Sequence, residues 1–399
     1  MIFKPLHICM VVYAPYPFAE TRVQREAEAL MVRGHSVDVI CPKYQDSPEQ
    51  DQHNGVNIYR VNMHWNRKSS FSRQFIHYVD FFIRALFRLA SLHAKNKYNV
   101  IQTHNLPDFL VFSSLIPKLL GSRIILDLHD LMPEFFQSRV GENNHKFLSQ
   151  MIVLQERLSC KFADHVITVT EHWRQNLIKR GMPPDKCSVV MNLADDKVFR
   201  PIPFSTLKDP NRFCLFYHGG MPHRYGLDLI LFAMNKLHAE IPTIHLKLIG
   251  DGDACETLKQ TTFALKLEDR VEFINSQPVE KLQSFIATAD VAVVPYLDDP
   301  FTDSLMPTKL MEYAVCGIPS IVSRTTAISA YFTDQMVEFF QPGSEEELAN
   351  AILRLYKDPG RRRELACNIQ EFNEKYNWSE QSVSYISRVE WLCLNGKRH

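Results

Sequence analysis

LHICMVVYAPYPFAETRVQREAEALMVRGHSVDVIC, residues 6–41, decides the fold class. Residues 6–13 form a continuous apolar run that suits a strand buried on both faces. After a proline-containing loop, Val23, Ala27 and Leu30 recur at helical spacing, and Gly34 stops the helix before SVDVIC starts a second strand. Strand, helix and strand in that order make a β-α-β crossover, the unit of a parallel sheet.

The same alternation continues in both directions along the chain. Further strands are expected at NVIQTH (99–104), RIILDLHD (123–130), HVITVT (165–170) and SVVMNL (188–193). The pattern lapses in DDKVFRPIPFSTLKDPNR (195–212), which has three prolines and no sustained periodicity. A second series follows: FCLFYHGG (213–220), a helix with Ile230, Ala233, Met234 and Leu237 on one face, IHLKLIGDGD, RVEFIN, VAVVPY, PSIVS and MVEFFQPG. Ser344 with Glu347 forms a capping box, and Asp358-Pro359 opens another helix. The expected organisation is α/β: a first Rossmann-like domain over 1–195, a linker over 196–212, a second domain over 213–375, and a last helix in 376–399 packing back on the first domain. Open parallel sheets bind ligands outside the C-terminal ends of their strands. Those ends are polar or glycine-rich here: His104-Asn105, His129-Asp130, Thr170-Glu171 and Asn192, then His218-Gly219-Gly220 and Gly250-Asp251-Gly252. Together they imply a ligand cleft between two such domains.

Composition narrows the function. Forty-five Lys and Arg balance forty-five Asp and Glu over 399 residues, so no global basic field recruits nucleic acid. The balance is uneven: residues 1–200 carry 25 basic and 19 acidic side chains, leaving 20 and 26 beyond. The nine cysteines are scattered, without a Cys-x-x-Cys pair, so neither a disulfide framework nor a zinc site is expected, and a reducing cytoplasm fits. The N-terminus reads as a strand rather than a signal peptide, and no run reaches the ~18–20 apolar residues of a spanning helix.

The chemistry concentrates in DSLMPTKLMEYAVCGIPSIVS (303–323). Pro307 fits the first turn of a helix and Gly317 its end, so Ser304, Leu305 and Met306 precede a helix N-terminus whose free N–H groups suit an anion. Lys309 and Glu312 fall on one helix face, where they can place a cation at a diphosphate and a carboxylate at ribose hydroxyls. In YHGGMPHRYGLDL (217–229), glycines after a strand admit a ligand to the backbone, and Arg224 stands ahead of a helix near Gly226 or Leu227. Asp298-Asp299 and Asp195-Asp196 are acidic pairs on loops, more in keeping with solvation than with metal binding.

The ordered set YHGG…RYGLDLI, LIGDGD, RVEFIN, ADVAVVPY and PTKLMEYAVCGIPSIVS resembles the donor domain of retaining glycosyltransferases of family four, with the GT-B fold. VQREAEALMVRGHSVDVI, ILDLHDLMPE and FADHVITVTEHWRQNLIKRG resemble that family's acceptor half. The resemblance implies that Arg224 and Lys309 bind the donor diphosphate, that Glu312 contacts the ribose, and that Gly219, Gly220 and Gly250 line the donor site. It implies leaving-group stabilisation by backbone N–H groups near Leu305 and Met306. His129 would face the reacting sugar, with His104 and Asp130 on the acceptor side. Two departures stand out. The first Glu of the family's Glu-x7-Glu motif is Ser304 here, with Asp303 beside it, so either Asp303 takes over the contacts to the donor sugar or they are made by backbone alone. Glu20 and Arg22, expected on the acceptor side, also stand where many relatives have a Gly-Gly loop, so they replace bare backbone near the cleft. The implied activity is metal-independent, cofactor-free, retaining transfer from a UDP- or GDP-linked sugar to a saccharide or lipid-linked saccharide, in cell-surface polysaccharide synthesis. A nucleotide-sugar epimerase of the same fold and a non-catalytic nucleotide-sugar-binding partner subunit are the alternatives.

Residues 64–97 hold seven Lys or Arg and one Asp among Phe, Tyr, Ile and Leu. A basic amphipathic helix of this kind can rest on an anionic membrane surface, which would make the protein peripheral on the inner face of the cell membrane. The alternative is a core-packed helix with a wet basic edge.

Overall fold

The computed structural model describes residues 4–17, 20–63, 71–140, 146–203, 209 and 211–395. The chain divides into two compact units, Met1–Asn192 with Ser379–His399, and Leu193–Trp378. The changeover falls just ahead of the proline-rich stretch, whose start packs on the second unit: Phe199 is buried, and Ile202 donates its N–H to the Cys316 carbonyl at 3.1 Å.

In the first unit, β1 (His7–Val12), β2 (Ser36–Pro42), β3 (Gln50–His53), β4 (Val56–Val61), β5 (Val100–His104), β6 (Arg123–Leu128), β7 (His165–Thr168) and β8 (Cys187–Val189) form one sheet in the order 3-4-2-1-5-6-7-8. All pairings are parallel except β3 with β4. That edge hairpin turns on Asn54 and Gly55, with φ values of 50° and 85°, the left-handed pair that a two-residue hairpin demands. The helices α1 (Thr21–Val32), α2 (Phe71–Asn96), α3 (Leu115–Leu119), α4 (Met132–Val140), α5 (Lys146–Phe162) and α6 (Glu171–Lys179) cover the sheet. The expected β-α-β opening is β1-α1-β2, with Ile8 beside Val37. The last helix, Trp378–Asn395, completes this unit: Tyr385 is buried and donates to Gln102 at 2.7 Å, and Glu390 pairs with Arg33 at 2.9 Å.

In the second unit, β9 (Phe213–His218), β10 (Ile244–Ile249), β11 (Val271–Ile274), β12 (Val291–Val294), β13 (Ser320–Ser323) and β14 (Glu338–Phe340) form a wholly parallel sheet in the order 11-10-9-12-13-14. Leu215, Ile230, Leu246 and Ile352 belong to its core. Both sheets change direction of growth once, beside β1 and β5 in the first unit and beside β9 and β12 in the second. At such a switch point the helices part to opposite faces and leave a crevice at the strand ends. The candidate residues cluster at these two places.

Candidate active site

In the second unit, β9 and β10 end in backbone packed against backbone. A Cβ on Gly250, whose φ is +145°, would lie 2.0 Å from the Gly219 carbonyl oxygen. A Cβ on Gly252 would lie 2.4 Å from that of Met221. Gly219, at φ +105°, leaves room for Lys309, whose Cε would be 3.1 Å from a Cβ there. Gly220 faces open space, with nothing nearer than Pro222 at 3.9 Å.

Lys309 sits in the first turn of the helix Thr308–Cys316 and is buried. Its Nζ donates to the Tyr296 hydroxyl at 3.0 Å and lies 5.0, 5.1 and 5.4 Å from the ring centres of Tyr217, Tyr225 and Tyr296. Three aromatic faces attract the ammonium without neutralising it. Among the described residues no carboxylate lies within ion-pair distance. Burial therefore pushes its pKa down to about 8, against the opposing pull of Glu312. Arg224 lies in a short turn, His223–Tyr225, ahead of the helix Leu227–Leu237, with its guanidinium 4.8 Å from the Phe301 ring and 6.0 Å from that of Tyr225. Tyr225, stacked on Tyr296 at 4.2 Å, thus neighbours both cations.

One turn beyond Lys309, Glu312 accepts from Nε2 of His218 at 2.6 Å, while Nδ1 of His218 meets the Tyr313 hydroxyl at 2.9 Å. The network assigns the proton to Nε2, with Tyr313 donating to Nδ1. His218, noted in the sequence only as a strand end, thereby positions the Glu312 carboxylate.

Ser304 is 2 % exposed, and its hydroxyl donates to the carbonyls of Pro300 and Phe301 at 3.1 and 3.0 Å. It is turned into its own loop rather than towards a ligand. Asp303 accepts from the Thr326 N–H at 2.7 Å, tying down the next short helix. The Leu305 N–H already reaches the Thr302 carbonyl at 3.3 Å, whereas the buried Met306 makes no backbone bond among the described residues.

In the first unit the candidates gather around a residue that sequence reasoning passed over. Asp127, at the end of β6, is fully buried and takes a two-pronged grip from Arg22, Nε to Oδ2 and Nη2 to Oδ1, both at 2.9 Å. Arg22 also donates to the Val190 carbonyl at 2.7 Å and lies 3.2 Å from Glu26. The sequence places Arg22 on the acceptor side, and its side chain there is a buried counterion to Asp127. Glu26 in turn accepts from Gln102 at 2.6 Å. His104 is fully buried behind His129, with Nδ1 3.1 Å from Asp127 and 3.0 Å from Nε2 of His129. His129 is the partly exposed member, its Nε2 3.2 Å from Asp127 and its Nδ1 3.6 Å from Glu20. Its backbone N–H donates to Asn105 at 2.7 Å, and the same Asn105 donates to the Asp130 carbonyl at 2.6 Å.

The charges follow from this packing. Burial alone raises the Asp127 carboxyl, but Arg22, His129 and His104 hold it well below the usual range. Burial and the Asp127 charge raise Glu26, with Arg22 opposing. Burial lowers His104, leaving it neutral, whereas for His129 the same effect is outweighed by Asp127 and Glu20, which lift it to about 10. His129 is thus the cation at the strand end, beside a neutral His104. His104, Asp127 and His129 offer three donor atoms within 4.8 Å, close enough to hold a metal ion. Arg22, however, already engages both Asp127 oxygens and supplies the positive charge there. A charged residue inside the apolar run RIILDL was the one sequence signal for this cluster.

The family model described as "Glycosyl transferase 4-like domain" matches residues 19–192, and the model "Glycosyl transferases group 1" matches residues 198–372. The chain is 23% identical over 344 residues to the phosphatidylinositol N-acetylglucosaminyltransferase gpi3 subunit of Schizosaccharomyces pombe, covering 85% of this chain and 70% of that one. It superimposes on sucrose-phosphate synthase from Thermosynechococcus elongatus with a TM-score of 0.78 at 20% identity, over 97% and 99% of the two chains. Anabaena HepE in complex with UDP and glucose gives 0.70 at 17% identity, over 96% and 98%. These neighbours are GT-B glycosyltransferases, and the two parallel-sheet α/β units make this chain one of that fold.

Proposed function

The chain belongs to the group 1 glycosyl transferases of GT-B fold, and from that premise we propose that it moves a sugar, with retention, from a nucleotide diphosphate donor to a saccharide or lipid-linked saccharide in cell-surface polysaccharide assembly. The observation that carries the donor reading is Lys309: a buried ammonium in a tyrosine cage, next to Gly219 and without a carboxylate in ion-pair distance among the described residues, is poised for an anion brought by the ligand. Lys309 and Arg224 would take the diphosphate, and Glu312, held by His218, the ribose. A UDP-linked donor is favoured because the similar HepE structure contains UDP and glucose.

Breaking the sugar–phosphate bond places negative charge on the departing diphosphate. Two fixed cations in a dry site stabilise that charge without reorganisation, so the transfer is read as metal-independent. In the first unit, the His129 imidazolium would hold a sugar hydroxyl as a donor. No protein nucleophile is assigned to the anomeric carbon. The leaving phosphate oxygen would therefore accept the proton of the acceptor hydroxyl as the new bond forms on the same face. A lipid-linked acceptor fits the phosphatidylinositol in the name of the Schizosaccharomyces pombe relative.

The test is product analysis with UDP- and GDP-sugars and a lipid-linked acceptor pool. Release of nucleotide with an α-linked product from an α-linked donor, undiminished by a chelator, is expected. An inverted product contradicts retention. Donor converted to another sugar nucleotide without acceptor points to an epimerase, and binding without turnover to a partner subunit.

A further inference from the structure

The helices on one side of the first unit's sheet carry an apolar outer face. A 3₁₀ turn, Asp108–Ser114, leads into α3 and lies between α2 and α5: Phe109 meets Phe75 and Phe82 of α2 at 6.2 and 5.9 Å, and Phe112 meets Phe162 of α5 at 5.1 Å. The three helices therefore form one layer. Their inner faces are ordinary core, with Phe81, Ala85 and Leu89 of α2 and Ile152 of α5 buried.

Their outer faces are not ordinary surface. Of the nineteen large apolar side chains exposed among the described residues, thirteen lie on α2 or α5, or on α3 and the residue after it. On α5, Phe147, Met151, Leu154 and Leu158 repeat at intervals of four, three and four and make a continuous outward stripe, with Phe147 76% exposed. On α2, Ile76, Ile83 and Phe87 form a second stripe, and Leu119 and Leu120 at the end of α3 are 77% and 67% exposed. A water-soluble protein rarely leaves so concentrated an apolar face bare.

Charge identifies the occupant. The exposed charged residues on these helices are Arg73, Arg84, Lys95, Lys146, Arg157 and Lys161, all basic. The acidic ones are already engaged: Asp80 pairs with Arg84 at 2.8 Å, and Glu156 is buried on Arg180 at 2.7 Å. A second copy of the chain docking through this face would bring like charges together. No helix of the described residues is long and apolar enough to cross a membrane. We propose that the outer face of α2, α3 and α5 is a docking surface for an anionic bilayer, the apolar crest entering the boundary between headgroups and acyl chains and the basic rim lying on lipid phosphates. The sequence pattern placed such contact within residues 64–97 alone. Residues 64–70 of that stretch lie outside the described residues, and α5 supplies as much of the surface as α2. The inference does not depend on the transfer chemistry.

The test is co-sedimentation of the full chain with vesicles of phosphatidylcholine alone, or mixed with phosphatidylglycerol. Two variants are compared with wild type: Met151→Ser with Leu154→Ser, and Arg157→Glu with Lys161→Glu. The substituted side chains are exposed, and circular dichroism checks that both variants stay folded. Wild type is expected to bind the anionic vesicles at least tenfold more tightly than the neutral ones, with the preference shrinking as salt rises. Each neutralised basic residue near the surface is worth about fivefold in affinity, so the charge-reversed pair should lose tenfold or more. The serine pair should lose a comparable factor on anionic vesicles. The proposal is overturned if wild type ignores both vesicles, or if either α5 variant binds as wild type does. It is also overturned if wild type is a dimer without lipid that the serine pair dissociates, because the face then belongs to a second copy.

Discussion

Nε2 of His218 lies 2.6 Å from Oε2 of Glu312, joining the end of β9 to the helix that carries Lys309. This bond fixes one carboxylate oxygen, while the other has no hydrogen-bond partner among the described residues.

His218→Phe should therefore weaken nucleotide binding although the ring touches no ligand in the proposed reading. Loss of a charge-assisted bond costs ~1.5–3 kcal/mol, roughly ten- to hundredfold in affinity. Because the two residues act as one unit, the double variant with Glu312→Ala should bind little worse than either single one. A double-mutant cycle by calorimetry with UDP reads this, and simple additivity would argue against the coupling.

Lys309, with a pKa near 8, is charged below that value and neutral above it. Affinity for a nucleotide diphosphate should then be highest below pH 8 and fall as the pH rises through it. Above pH 8 binding should take up a proton, measurable as a dependence of the heat on buffer ionisation. Lys309→Met should abolish both effects. For folding the sign is reversed: the unfolded lysine, near 10.5, holds its proton longer, so this group's contribution to stability increases with pH between about 8 and 10.5.

In the first unit, Asp127→Asn removes the two-pronged partner of buried Arg22 and leaves it only Glu26 at 3.2 Å, and a broken buried pair typically costs ~3–5 kcal/mol. The same change should lower the His129 pKa from about 10, since the Asp127 charge is the chief influence raising it. With a folded pKa above the ordinary 6.5, His129 contributes stability that is full below about 6.5 and lost as pH rises through about 10. Denaturant melts across pH, with imidazole NMR, test both statements. A His129 titrating near 6.5 in the wild type would contradict the cluster.

Two glycines make a contrast. Gly250→Ala sets a methyl group 2.0 Å from the Gly219 carbonyl at a φ of +145° and should disrupt the strand ends and nucleotide binding together. Gly220→Ala meets nothing nearer than 3.9 Å and should leave the melting temperature within a degree or two. Equal sensitivity would show that the backbone packing is not what Gly250 provides.

Periodicity carried the fold as far as local order reaches. The run of residues 6–41 became β1-α1-β2, and the second series became the six-stranded sheet, because parallel strands buried on both faces leave continuous apolar runs. The β3–β4 hairpin escaped notice because its strand QDQH is polar and lies at an edge. Arg224, Lys309 and Glu312 could be singled out because turn chemistry and helix spacing are local. Their partners could not: His218 and Glu312 are 94 positions apart, and Arg22 and Asp127 are 105. The burial of Arg22 on Asp127 was hidden for that reason, and the turn of the Ser304 side chain into its own loop was hidden because loop side-chain direction is not encoded in spacing. The α5 stripe repeats at helical spacing in the sequence, but periodicity does not say whether an apolar stripe faces in or out.

The central claim is that the Lys309 cage receives a nucleotide diphosphate, and calorimetric titration of UDP, GDP and ADP tests it most directly. It should be run on the wild type, Lys309→Met and Glu312→Ala. The account predicts sub-millimolar binding of one nucleotide, UDP in the first instance, lost by tenfold or more in both variants while their melting curves stay cooperative. No binding of any of the three, or binding that survives both substitutions, would contradict it.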